Sequence, residues 1–240
     1  MTNDRVLWVT GGGTGMGAAT ARRAAASGWT VVVSGRRRSA LDGVVEEIRS
    51  AGGSAFAAPL DVRDPQEVEA TARTIVDERG RLDGLVLAAG LNAPNRRWDD
   101  QSMDGFRDIV DTNLTAVVTV IDAALPALRR SAGVVVVISS FAGWSFQPAA
   151  GVAYSASKTA LGPIVRSLNQ QGAADGVRAC HVCPGDVATD FLDQRPTVPN
   201  AEARAAMLTP DDVGEAVGFV LDAPAHVRVD ELVISPVYRR

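Results

Sequence analysis

Apolar residues in this chain gather in short continuous runs separated by amphipathic stretches. The runs are Val6 to Val9, Thr30 to Ser34, Ala55 to Leu60, Gly84 to Ala88, Val134 to Ser139, Val177 to Val182 and Glu231 to Ile234. They are continuous rather than alternating, so each reads as a strand covered on both faces, the pattern of a parallel sheet between helices. Helical spacing recurs over Gly17 to Ala26, Ser39 to Ser50, Pro65 to Arg79, Met103 to Arg130, Tyr154 to Ala173 and Pro210 to Leu221. Asp64 before Pro65 and Thr209 before Pro210 each set a capping side chain ahead of proline at the first helical position. Pro126, late in its segment, is expected to bend that helix or end it early. Strands alternating with helices, joined by right-handed crossovers, predict a doubly wound α/β sheet of about seven strands with helices on both faces. The stretch Asp186 to Met207, with Pro196, Pro199 and several charges, interrupts the alternation and reads as a lid over a site.

Composition narrows the class. The 240 residues, 46% hydrophobic and 22% charged, suit one domain with a sizeable core. A net charge of -4 argues against nucleic-acid partners, which need a basic field. The longest aliphatic run, Val134 to Ile138, is far short of the ~20 apolar residues of a membrane helix. Met1 to Asp4 show no leader-like pattern, so a cytoplasmic protein without a membrane partner is expected. Cys180 and Cys183 are spaced as CxxC, but within a strand that spacing points the two side chains to opposite faces. With no second cysteine pair, they read as buried inert thiols, and no metal site is predicted.

Three constellations carry chemistry. Thr10-Gly11-Gly12-Gly13-Thr14-Gly15-Met16-Gly17 joins the first strand to a helix, where glycine permits a tight turn and close backbone approach, and the helix N-terminus offers free N–H groups to a phosphate. An ordinary glycine-rich turn would look similar. Tyr154 and Lys158, four residues apart, share one helix face, and a nearby ammonium is expected to lower the phenol's pKa into general acid/base range. Alone, the pair would be a solvated surface tyrosine and lysine. Ser139-Ser140 ends the strand Val134 to Ile138, at the carboxyl edge where open α/β sheets bind ligands.

Taken in order, these elements resemble the short-chain dehydrogenase/reductase family over essentially the whole chain. The resemblance rests on TGGGTGMG, Asp61-Val62, Asn113 in DTNL, Ser140 in ISSFAG, Tyr154 and Lys158 in YSASK, and Pro184-Gly185 followed by Thr189. It implies a single Rossmann-type domain spanning 1–240 and a nicotinamide cofactor. Tyr154 would exchange a proton with the substrate oxygen, Ser140 would orient that oxygen, Lys158 would hold the nicotinamide ribose, and Asn113 would place a water linking Lys158 to solvent. Cofactor contacts would come from Gly11, Gly13, Thr14, Gly15, Met16, Gly17, Asp61, Val62, Ala89, Gly90, Tyr154, Lys158, Pro184, Gly185, Val187 and Thr189. Two departures stand out. Leu87-Ala88-Ala89-Gly90 replaces the family's usual NNAG, losing side-chain bonds that steady the sheet, and the loop from Ser140 to Tyr154 is one residue longer than is common.

The second strand ends in Ser34-Gly35-Arg36-Arg37-Arg38, with no acid to accept a ribose 2′-hydroxyl, so Arg36 and Arg37 favour NADP over the alternative NAD. The C-terminal part is similar to the branch of NADP-dependent 3-hydroxy acid and serine dehydrogenases, which implies a small hydroxy acid or related alcohol or carbonyl substrate. Trp144 and Phe146 are expected to line the substrate side with Ser140 and Tyr154. Arg195, Arg96 and Arg97 are weighed as partners for a substrate carboxylate and set aside, because surface arginines are commonplace. Two other readings remain open: a reductase of a specialised-metabolite pathway, and an NAD(P)-binding regulator without catalysis. The resemblance also implies a homodimer or homotetramer built on the helices Met103 to Arg130 and Tyr154 to Ala173.

Overall fold

The computed structural model describes residues 5–237, so the opening Met1 to Asp4 lies outside it. Seven strands, β1 (Val6–Thr10), β2 (Thr30–Gly35), β3 (Ser54–Pro59), β4 (Gly84–Leu87), β5 (Val134–Ile138), β6 (Arg178–Pro184) and β7 (Glu231–Ile234), pair in parallel in the order β3-β2-β1-β4-β5-β6-β7. The register is direct, with Leu7 to Thr10 of β1 against Gly84 to Leu87 of β4 and Val134 to Ile138 of β5 against Arg178 to Val182 of β6. Every residue of β1, β4 and β5 is buried, which is why these runs do not alternate.

Helices cover both faces. On one lie α1 (Gly15–Ala26), α2 (Arg38–Ser50) and the later Pro210–Leu221, whose Ala21, Leu41 and Val217 close on Val9, Val31 and Val136. On the other lie α3 (Pro65–Arg79), the long helix after β4 and the helix carrying Tyr154, whose Val68, Leu128 and Leu161 close on Trp8, Leu85 and Val135. Each such aliphatic side chain, fully buried, contributes about 1.5–3 kcal/mol relative to an exposed one. A charge at Val135 or Val136, in the middle of the sheet, would therefore break the layer. Asp64 caps α3 by accepting from Gln66 N at 2.9 Å and Glu67 N at 3.1 Å, and Thr209 with Asp212 forms a reciprocal capping box.

The long helix differs from the single expected segment. It runs as α4 (Met103–Val110), a π-helical turn over Asp111–Thr115, and α5 (Ala116–Ser131). Pro126 does not end it. The helix continues to Ser131 and is closed by Ala132 in the left-handed region at φ 51°. The combined 29 residues are long and apolar enough, by length and composition only, to cross a membrane, yet Val117, Val120, Ala124 and Leu128 are buried against the sheet. It is built as a core helix. After β5 come a short α6 (Phe141–Trp144) and then α7 (Val152–Gln171), which starts two residues before Tyr154. The expected lid is ordered, with a 3-10 turn over Asp190–Gln194, a short α8 (Ala201–Ala205), and a bridge between Val187 and Leu208 that ties its two ends. The helix Pro210–Leu221 is α9.

Candidate active site

The sheet order reverses between β1 and β4, so their carboxyl ends open a crevice, the usual ligand position of this topology. The glycines after β1 are what let backbone approach backbone there. A Cβ on Gly11, at φ 65°, would lie 2.6 Å from Ala89 N, and one on Gly17 would lie 2.3 Å from Gly11 O. Gly15, at φ 54°, sits under Thr189, whose Cγ2 would be 3.3 Å from an added Cβ, while Gly13 faces Ala40 and Leu41 of α2. The α1 N-terminus has no side-chain cap from Thr14 and no acid in its first turn. Its leading N–H groups are left for an anion. Met16 is partly buried and packs against the core on the α1 face of the sheet.

Around this cradle stand the remaining expected contacts. Asp61 is turned toward Arg63, which binds its carboxylate at 2.8 Å and holds it below the usual carboxylate range. Val62 is buried beneath it. Arg36 and Arg37 are exposed at the end of β2, whereas Arg38 is committed to Asp42 at 2.9 Å. Gly185 closes β6 by donating to Ile234 O at 2.7 Å. The Pro184 to Thr189 segment thus leads from the sheet edge to the cradle.

The proton-handling set assembles at the end of β5. Ser140 caps α6, its Oγ accepting from Ala142 N at 3.2 Å, and its side chain is hydrogen-bonded to Tyr154. Lys158 is 4% exposed, donates to Ile138 O at 3.2 Å, and lies with Nζ 5.7 Å from the centre of the Tyr154 ring. Burial lowers its pKa to about 8. The expectation that Lys158 pulls the Tyr154 pKa down is corrected by this geometry. Burial raises Tyr154 above its ordinary value, and the opposing influences are the Ser140 hydrogen bond and the fields of Arg195 and Arg96. A phenol withdrawn from water holds its proton more tightly.

Asn113 sits within the π turn, fully buried, an irregularity that turns a helical side chain toward the sheet end. Its Oδ1 accepts from Leu91 N at 2.7 Å, and its Nδ2 donates to Leu91 O at 2.9 Å and Ser157 Oγ at 3.2 Å. Gly90 lies between the Asn113 amide and Lys158 Nζ: an added Cβ would be 3.6 Å from one and 3.8 Å from the other. Where the family pattern places NNAG, Ala89 instead borders a small apolar gap lined by Thr10, Val62, Leu87 and Val120.

Of the expected substrate wall, Trp144 stacks edge-on against Phe141 at 5.0 Å and stays half exposed, and Phe146 is exposed. The residue that meets Tyr154 is Phe191 of the 3-10 turn Asp190–Gln194, ring centres 6.1 Å apart. No periodicity marks it. Arg96, weighed as a carboxylate partner and set aside as a surface arginine, is instead buried at 7% exposure. The cysteines do lie on opposite faces, Cys180 in the α1 core and Cys183 beside His181 at 3.4 Å, and burial pushes both thiols up to about 12. His181, Cys183 and Glu231 bring their donor atoms within 4.8 Å of one another, a grouping that linear spacing does not reveal.

A dinucleotide-binding crevice with a Ser-Tyr-Lys set at its rim defines an oxidoreductase of the Rossmann class. The short chain dehydrogenase family model matches residues 5–199, and the chain belongs to this family. It is 34% identical over 98% of its length to the glycine betaine reductase of Emericella nidulans, of whose length it spans only 19%. It is 30% identical to an uncharacterised oxidoreductase of Staphylococcus aureus, covering 98% of both chains. Among solved structures it resembles an alcohol dehydrogenase of Thermococcus sibiricus complexed with 5-hydroxy-NADP, with TM-score 0.89, 30% identity and 99% of each chain covered. It likewise resembles the actinorhodin polyketide ketoreductase with NADPH, with TM-score 0.87, 28% identity, and 98% and 97% of the two chains covered.

Proposed function

We propose that the chain catalyses reversible interconversion of a secondary alcohol and its ketone with NADP, the substrate being a small hydroxy acid or a related carbonyl compound. The observation that carries this reading is the convergence of Ser140, Tyr154 and Lys158 beside the glycine cradle. The residues fit a dinucleotide: Gly11 and Gly17 let the turn after β1 fold tightly, since a Cβ on either would strike backbone, and the α1 N-terminus it presents is uncapped. Arg36 and Arg37, exposed and without an ion pair among the described residues, suit a 2′-phosphate. Neighbours with NADP-type ligands support the same preference.

When bound, the nicotinamide supplies or accepts the hydride. The chain's own part is proton handling and positioning. Ser140 Oγ accepts from Ala142 N and its O–H, shared with Tyr154, would turn to the substrate oxygen as charge develops there. Tyr154, kept protonated by burial, gives its proton to that oxygen in the reducing direction and recovers it in the other. Lys158, buried under the Ile138 carbonyl, holds the ribose and places a cation near the phenol once it leaves as phenolate. Asn113 braces Leu91, and with it the neighbouring Gly90 backbone that would contact the cofactor. Phe191 covers Tyr154 from the lid and limits water. Membership of the family supports association of copies through α4–α5 and α7 as a homodimer or homotetramer.

The test is cofactor oxidation and reduction over a panel of alcohols and ketones, parent against Tyr154→Phe. A loss of about 100- to 10,000-fold in turnover with NADPH binding retained is expected. Equal turnover in both proteins, or none in either despite NADPH binding, overturns the reading.

A further inference from the structure

Arg96 is a buried cation without a counter-ion. It is 7% exposed, and among the described residues no carboxylate forms an ion pair with it. Its Nε donates to Ala93 O at 2.6 Å and its Nη2 to Gln194 O. A guanidinium has five N–H donors, so three are left uncommitted. Among the described residues Nη1 has no hydrogen-bond partner, so this end of the fork is open to a ligand.

The position of this fork is fixed from three sides. Arg96 O accepts from Val152 N at 3.2 Å, and its Cβ would lie 2.5 Å from a Cβ on Gly151, which is why glycine at φ 92° stands there. Tyr154 follows three residues later on α7. Asn92, on the same loop, donates from its side chain to Ala150 O at 3.2 Å and from its backbone to Gln194 Oε1 at 3.0 Å. The loop, the start of α7 and the lid's 3-10 turn are thus laced into one wall. Arg195 adds a second cation to it, but is paired with Asp186, and Asp100 turns its carboxylate to Arg97 N at 2.7 Å. The fields of Arg96 and Arg195 both reach the Tyr154 hydroxyl.

An unpaired buried charge is unfavourable unless something supplies its partner. We propose that Arg96 anchors an anionic substrate, its open fork taking the carboxylate of a hydroxy or keto acid whose reacting carbon stands at Tyr154. The planar fork suits two carboxylate oxygens, a geometry that lysine does not reproduce. The inference rests on Tyr154 being the proton donor, and it adds to that reading the residue that sets substrate charge. A mere latch of the lid onto the loop would need only the bonds to Ala93 O and Gln194 O, and would leave the open fork without a purpose.

The experiment compares 3-hydroxybutyrate with its methyl ester as substrates for the parent, Arg96→Met and Arg96→Lys, with NADP as cofactor. The parent is expected to prefer the acid. In Arg96→Met the acid-to-ester ratio of kcat/KM should fall by about 10- to 100-fold, the worth of a charge-assisted pair, chiefly through KM for the acid, with Arg96→Lys between the two. Preference of the parent for the ester, or an equal loss on both substrates in Arg96→Met as a simple lid latch would give, overturns the proposal. If the parent turns over neither compound, the catalytic reading is left to the alcohol and ketone panel, and calorimetric titration of 3-hydroxybutyrate into the NADP complex decides the anchor. Binding that is lost in Arg96→Met supports the anchor, while equal binding or none overturns it.

Discussion

Replacing Asn113 by alanine tests whether one side chain braces the cofactor side of the site. The wild-type amide satisfies both backbone groups of Leu91, at 2.7 Å and 2.9 Å, across 22 residues of chain. Its third bond, to Ser157 Oγ, matters less, because that hydroxyl keeps its own bond to Tyr154 O at 2.9 Å. Alanine leaves the Leu91 N–H and C=O open. A buried polar group left unpaired costs about 1–3 kcal/mol, and since Leu91 is only half-buried, water recovers part of it, leaving about 2–3 kcal/mol for the pair. In a domain of this length that is a fall of about 4–12 °C in Tm. Because Gly90 lies between Asn113 and Lys158, the loosened loop should also weaken NADPH binding. Thermal melting without cofactor and fluorescence titration with NADPH read the two effects. Asn113→Asp, which keeps the acceptor for Leu91 N–H but buries a carboxylate, should not rescue stability. A Tm within about 1 °C of the parent, with unchanged NADPH affinity, would refute the brace.

Two further outcomes follow from charge. Arg36→Ala should weaken NADPH binding by about 10- to 100-fold and NADH binding little, as measured by titration of each cofactor, and equal losses would remove Arg36 from the 2′-phosphate. Lys158 has a folded pKa lowered to about 8 from 10.5, so between those values the unfolded chain binds more protons and this group's contribution to stability rises with pH. The buried thiols act oppositely above pH 9, since their folded pKa values are raised to about 12, so the measurement must be a difference. Urea midpoints of the parent minus those of Lys158→Met should climb from pH 8 to 10.5, and a flat difference would mean that Lys158 is not desolvated.

The sheet and the proton-handling set were legible because each is written locally. Strand runs buried on both faces lack alternation, and Pro65 and Pro210 mark the helix starts that the structure places at the same residues. Tyr154 and Lys158 needed only the helical repeat to be paired, and Ser140 only its place after β5. The π turn at Asp111–Thr115 was not legible, because an extra residue in a helical turn leaves the apolar spacing on either side almost unchanged. Its consequence is large: it delivers the Asn113 amide to Leu91.

The same distinction separates the influences on Tyr154 that spacing shows from those that only the fold brings to it. From spacing, Lys158 is the nearest cation to the phenol, and proximity alone predicts a lowered pKa. In the fold, burial acts on both members, raising the phenol and lowering the ammonium, and the field that opposes it at Tyr154 comes from Arg195 and Arg96. Neither arginine is near Tyr154 in sequence. Arg96 is brought there by the loop after β4, where Gly151 leaves room for its side chain, and Arg195 by the lid. Arginine in a charged loop segment, Arg96-Arg97-Trp98-Asp99-Asp100, is indistinguishable in sequence from a solvated one. What separates Arg96 from Arg97 is burial without a carboxylate, a property of three chain segments meeting. The proton chemistry of this site is therefore encoded in two local segments, the end of β5 and the start of α7, whereas its electrostatics, and the substrate charge they favour, are encoded between distant elements.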